Sequence, residues 1–175
     1  MSFASLTFIF IFLPTVLLLF YLLPRGNWRR ALLVFSSLAF FAWADLRHLP
    51  LLVSFVLLNY ALERVIGWCQ VKEKPGWGKA ALWVGLGANL AFLLAYHYLG
   101  FFGEILSQIS QREIETPTLA AFFGISYLTF SGISSLLDLH RESRQPEKNI
   151  LNFSAYLLMF PKLIQGPILL FKDYQ

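Results

Sequence analysis

Six apolar runs, separated by short polar connections, divide the chain at residues 3–23, 31–44, 49–62, 80–102, 119–137 and 150–171. The first carries no charge and is long enough to cross a hydrocarbon core of ~30 Å, which needs about 20 helical residues. Its nearest positive charges, Arg25, Arg29 and Arg30, follow the run instead of preceding it. That order predicts an uncleaved first span and not a secretory signal. The second and third runs are short: 14 helical residues cover only about 21 Å. They are expected either to tilt little and lean on flanking residues, or to form a re-entrant pair. The pattern predicts an all-α fold of about five to six membrane segments within one membrane domain, residues 1–175, with no soluble domain.

Composition agrees with a lipid bilayer as the surrounding medium. Of the 175 residues, 57% are hydrophobic and 17% aromatic, and mean hydropathy is +0.61, above the range of soluble domains. Lys and Arg in the connections alternate strongly, with ten in the odd-numbered connections and two in the even-numbered ones. The positive-inside bias then places the N-terminus outside and the odd connections in the cytoplasm of a multi-pass protein. Trp28, Trp43, Trp68, Trp77 and Trp83 fall near run ends, as headgroup anchors do. The net charge of +4 follows from this bias and calls for no nucleic-acid partner. The single cysteine, Cys69, expected in the connection after the third run, excludes an internal disulfide and a cysteine-based metal site.

No nucleophile elbow, phosphate loop, dinucleotide fingerprint or paired-histidine metal motif is present. The histidines His48, His97 and His140 lie on three separate segments. His48 reads as an interfacial polar residue. His97, inside the fourth run, is either a functional intramembrane group or a hydrogen-bonded packing residue. His140 follows Asp138 by two positions, a spacing that does not bring the two face to face on a helix. In the fifth run, Gly124, Tyr127, Ser131, Ser134, Ser135 and Asp138 recur at spacings of one helical face, with Leu128 expected on another. Such a polar stripe meets other helices or lines a cavity. In the sixth run, Pro161, Lys162, Gln165, Gly166 and Pro167 interrupt the helix, which predicts a broken or re-entrant segment, or a simple kink.

Several ordered blocks carry a family resemblance. The opening MSFASLTFIFIFLPTVLLLFYLLP, the stretch LLVFSSLAFFAWADLRHLPLLVSFVLLNYALE, and the segments NLAFLLAYHYLGFF, GISYLTFSGISSLLDLHR and NFSAYLLMFPKLIQGPI resemble the membrane-bound O-acyltransferases of the alginate O-acetyltransferase-like branch. His97 and Gly100 stand where that family commonly has Lys and Asn, Lys162 replaces a frequent Gln, and Leu170 a common basic residue.

The resemblance implies a bacterial inner-membrane protein and the N-terminal half of a larger enzyme, in which helices surround a tunnel. Through it an acyl group passes from a cytoplasmic thioester donor, acyl-CoA or acyl carrier protein, to a hydroxyl of a cell-surface polysaccharide. It implies no bound cofactor. The family's general-base histidine is expected beyond Gln175, so no catalytic residue is assigned within the chain. Asp138, His140, Ser131, Ser135, His97, Lys162, Gln165, Gly166 and Pro167 are the candidate tunnel-lining or structural site residues. The implied partners are the bilayer, the C-terminal half, and a periplasmic or extracellular acetylation partner. Two alternatives stay open: a non-catalytic truncated or split module that needs a partner, and a small transporter component.

Overall fold

The computed structural model describes residues 6–72, 75–98, 124–142 and 145–159, and all regular structure among them is helical. A π turn, Phe8–Phe12, leads into α1, Leu13–Leu22. Pro24 and Gly26, the latter at φ 118°, stop that helix, because proline cannot extend it and the glycine backbone turns where a side chain would strain. Next come α2, Asn27–Ala44, a 3₁₀ turn at Leu46–His48, and α3, Leu49–Val71. α4, Pro75–Leu93, ends in a π turn, Leu94–Tyr98. α5 spans Ile125–Glu142 and α6 spans Ile150–Leu158. Pro50 and Pro75 sit in the first turns of α3 and α4, where their missing N–H has no helical partner to lose.

Two runs are longer than their apolar stretches suggested. α2 has 18 residues and α3 has 23, so neither helix is as short as its apolar run. α3 continues past Leu62 through Glu63 and Arg64 because Glu63, fully buried, is accommodated by protein instead of lipid. Cys69 consequently lies inside α3 and is buried, not in a connection. Two stretches, Leu46–Val71 and Gly76–Tyr96, are long and apolar enough to cross a membrane, and Phe8–Leu22 is a shorter apolar helix.

α3, α4 and α5 form the central bundle. α4 runs antiparallel to both neighbours, since Gly85 abuts Leu62 and Leu136 while Asn59 and Asn89 both abut Gly132. α6 lies on α2 and α3, and the main apolar core, including Phe41, Leu52, Phe55, Leu128, Phe153 and Tyr156, fills the space between them and α5. A second cluster, Ile66, Leu82, Leu136 and Leu139, seals the end where α3 finishes. Leu128, expected away from the packed face of its helix, is fully buried. Large apolar side chains such as Phe10, Leu18, Phe35, Trp83 and Val84 point outward, a surface suited to lipid and costly in water.

Glycines mark the closest helix approaches. A Cβ at Gly67 would overlap the Pro146 ring, whereas one at Gly87 meets nothing within 4 Å. Gly67→Ala is therefore expected to destabilise by about 1–3 kcal/mol through overpacking. Gly87→Ala should be neutral or stabilise by up to about 1 kcal/mol through helix propensity. Thermal unfolding in detergent checks the order, and a Gly67→Ala variant as stable as the parent would remove the assigned Gly67–Pro146 contact.

Candidate functional site

The centre of the bundle is polar. Asn89 Nδ2 donates to Asn59 Oδ1 at 2.9 Å and to the Gly85 carbonyl at 2.8 Å, and Asn59 Nδ2 donates to the Phe55 carbonyl at 3.0 Å. Both asparagines are fully buried. Gly132 of α5 faces them so closely that a Cβ there would lie 2.8 Å from Asn89 Oδ1 and 2.9 Å from Asn59 Oδ1. Helices in lipid associate through small residues and interhelical amide bonds, because the bilayer gives no hydrophobic drive between them. Thr129, Ser131 and Ser135 lie on the same helix and are also buried. Thr129 Oγ1 and Asn89 Oδ1 meet no hydrogen-bond donor among the described residues. These groups make a polar track within the three-helix core.

One turn beyond Asn59, Glu63 connects this track to the bundle end that carries most of the basic residues. Its carboxylate accepts from the Glu147 N–H at 3.4 Å. Residues 145–149 thus form an extended strap along α3, with Pro146 on Gly67 and the Lys148 carbonyl accepting from Tyr60 Oη at 2.9 Å. The strap ends where Asn149 Oδ1 caps α6 by accepting from the Leu151 N–H at 3.0 Å. Glu147 itself accepts from the Asn149 N–H at 2.9 Å and from Asn152 Nδ2 at 2.6 Å. Burial pushes its carboxyl pKa up, but those two donors, the Lys148 N–H and the Arg30 charge outweigh burial and hold it below the ordinary carboxylate value.

Beside the strap lies a cleft of about 630 Å³ whose lining includes Phe20, Arg29, Arg30, Glu147, Asn152 and Met159. Arg29 Nε donates to the Leu23 carbonyl at 2.9 Å, and its guanidinium stands 5.0 Å from the Phe20 ring centroid. At the other end of the bundle, His48 Nδ1 and Asp45 Oδ2 are 2.6 Å apart. The His48 side chain, weakly opposed by burial, holds the Asp45 carboxyl below its usual range. This pairing ties the 3₁₀ turn to the end of α2 and gives His48 a more specific role than a bare interfacial residue.

The residues singled out in the sequence are dispersed. Ser131 and Ser135 lie in the core. Asp138 is half-buried one turn further on, with Ser134 Oγ 3.5 Å from its Oδ2. His140, in the last turn of α5, is half-buried, and its Nδ1 has no hydrogen-bond partner among the described residues. Of His97 only the backbone, in the π turn Leu94–Tyr98, is described. Lys162, Gln165, Gly166 and Pro167, with the proposed helix break, lie outside the described residues. Sequence reasoning passed over Asn59, Asn89, Thr129, Gly132, Glu63 and Glu147. An amide inside each of two apolar runs, LLNYAL and GANLAF, was the available signal.

The chain is 34% identical over 177 residues to a probable alginate O-acetylase of Pseudomonas putida, covering 99% of this chain and 36% of the relative. A probable alginate O-acetylase of Pseudomonas aeruginosa is 32% identical over 179 residues, 99% of this chain and 34% of its own length. By sequence the chain is similar, over almost its whole length, to proteins named as alginate O-acetylases. A peptidoglycan O-acetyltransferase of Helicobacter pylori is 28% identical over 190 residues, 92% of this chain and 35% of the relative. The chain thus spans about a third of the length of the curated relatives it matches. No family model and no solved structure matches it. These relatives and the two long apolar helices among the described residues mark the chain as a membrane protein.

Replacing Ser131 or Ser135 by Leu should destabilise the bundle by about 1–3 kcal/mol through overpacking of a close interface, while Phe130→Leu, at a position 47% exposed, should be mild. Equal tolerance in unfolding assays would mean that α5 has no buried polar side. The depressed carboxyl of Glu147 has a matching consequence. Its stabilisation is complete above the ordinary value of 4.5 and is lost as pH falls through the lower folded value. Acidification from about pH 7 to 3 should therefore weaken the parent more than Glu147→Gln, and equal losses would contradict that role.

Proposed function

We propose that this chain is the N-terminal part of a membrane-bound O-acyltransferase that transfers an acetyl or other acyl group from a thioester donor, acyl-CoA or acyl carrier protein, to a hydroxyl of a cell-surface polysaccharide. The observation that carries this reading is similarity along 99% of the chain to proteins named for alginate O-acetylation. A relative named for peptidoglycan O-acetylation supports a saccharide hydroxyl as the acceptor. In this reading the chain lies in the bacterial inner membrane with five to six segments and its N-terminus outside. The basic end of the bundle, with Arg29, Arg30, Lys72 and Lys148, faces the cytoplasm, where a thioester donor is made. Asp45 and His48 face the acceptor side.

The bundle's part in the reaction is to form one wall of the transfer path. Half-buried Asp138 contributes its polar lining, Ser131 and Ser135 pack behind it as structural residues, and His97, His140 and the 162–167 segment are further candidates. Proton removal from the acceptor hydroxyl requires a general base, which in this reading is supplied outside residues 1–175 by the remaining helices or a partner protein.

Two outcomes follow. In a Cys69→Ser background, Lys72→Cys should be labelled by a membrane-impermeant maleimide only after permeabilisation, and Arg47→Cys in intact cells. The reverse pattern would overturn the orientation. Reconstituted alone with labelled acetyl-CoA and a mannuronate oligosaccharide, residues 1–175 should transfer no acetyl group, whereas co-reconstitution with the remaining helices of the Pseudomonas putida relative should give turnover. Turnover by the isolated chain would move the base onto His97 or His140, separated by His97→Ala and His140→Ala. No turnover in the assembled pair would overturn the acyltransferase reading.

A further inference from the structure

We propose that the cleft between α1, α2 and the strap is a phosphate-ester binding site built on Arg29 and Arg30. Its volume of about 630 Å³ lies in the range of small-molecule sites. The two guanidinium groups on its wall are not consumed by ion pairs, since neither lies within 4.0 Å of a carboxylate among the described residues. Arg29 is held in place from behind. Its Nε is taken by the Leu23 carbonyl and its plane rests near the Phe20 ring, which leaves the remaining N–H donors of a pre-oriented fork for a ligand. Arg30 is only loosely engaged, with its Nη1 3.5 Å from Asn27 Oδ1.

The one acid on the wall among the described residues, Glu147, has both carboxylate oxygens occupied, by the Asn149 N–H and the Asn152 amide. It therefore tempers the cationic character of the cleft without closing it. Phe20 and Met159 supply apolar surface on the same wall. Two arginines beside an apolar wall suit a phosphate ester joined to a less polar group. The two sources of that chemistry are the nucleotide phosphates of a thioester carrier and the headgroup of an anionic phospholipid. Assigning the carrier as occupant rests on the proposed acyltransferase reading, whereas the phosphate site itself does not.

Calorimetric titration of the purified 175-residue chain with coenzyme A forms the first arm of the test. Partition onto phosphatidylglycerol against phosphatidylcholine vesicles forms the second. Arg29→Gln and Arg30→Gln should each weaken coenzyme A binding about tenfold or more, the loss of a charge-assisted contact, while Arg64→Gln on α3 leaves it unchanged. Glu147→Gln, folded by circular dichroism, should tighten binding a few-fold, because it removes a repulsive charge. A merely structural role for the cleft predicts weakening in that variant. Arginine-dependent preference for phosphatidylglycerol without coenzyme A binding would support the phosphate site and identify the lipid headgroup as its occupant. Insensitivity of both arms to Arg29→Gln and Arg30→Gln, or weaker binding by Glu147→Gln, would overturn the site. Failure here leaves the acyltransferase reading standing, because that reading is measured by acetyl transfer and not by binding.

Discussion

A single amide–amide hydrogen bond, Asn89 to Asn59 at 2.9 Å, sets the arrangement on which the rest of this bundle depends. It joins α3 to α4 at mid-depth, and the absence of a side chain at Gly132 lets α5 close over it. In an apolar medium an unpaired amide is costly, so each asparagine favours the register that gives it a partner. That register brings Leu62 against Gly85 and Gly85 against Leu136, and it seals the end of the bundle with Ile66, Leu82, Leu136 and Leu139. Serines on the neighbouring turns of α5 are then enclosed by the same three helices.

The second constraint is the path of residues 145–149. A chain leaving α5 must reach the start of α6 on the far side of α3, and it does so as an extended strap whose polar groups are met one by one. Gly67 makes room for Pro146, Glu63 accepts the Glu147 N–H, and Tyr60 donates to the Lys148 carbonyl. Glu147 and Asn149 then fix the beginning of α6, and Asn149 Nδ2 donates to Asn27 Oδ1 of α2 at 2.9 Å. The cleft that holds Arg29 and Arg30 is a by-product of this route, because the strap and α6 stand away from the end of α1. Structural strap and polar cleft therefore share Glu147, a carboxylate at once half-buried, bonded and close to the Arg30 cation.

The helical character, the apolar environment and the polar face of α5 were legible because each depends on residues close in sequence. Period and run length reported them directly. Helix lengths were not legible where charge enters a span. Glu63 and Arg64 looked like the end of the third run, and only the strap, more than eighty residues away in the chain, explains why the helix continues to Val71. The Asn59–Asn89 pair was hidden for the same reason, since two isolated amides in separate apolar runs carry no mark of their partnership until the helices are packed. Leu128 shows the limit of reading a single face, because α5 is enclosed on more than one side and its apolar face is buried as fully as its serines. For Cys69, a basic neighbourhood suggested a loop although the residue sits within the helix.

A double-mutant cycle at Asn59 and Asn89 tests this account most directly. Unfolding free energies would be compared for the parent, Asn59→Ala, Asn89→Ala and the double variant in a lipid-like environment. The Asn59–Asn89 bond predicts a coupling energy of about 0.6–1.7 kcal/mol, the range of interhelical hydrogen bonds in membrane proteins, with each single variant destabilised. Additive single effects, with a coupling below about 0.3 kcal/mol, would show that the two amides do not hold α3, α4 and α5 together.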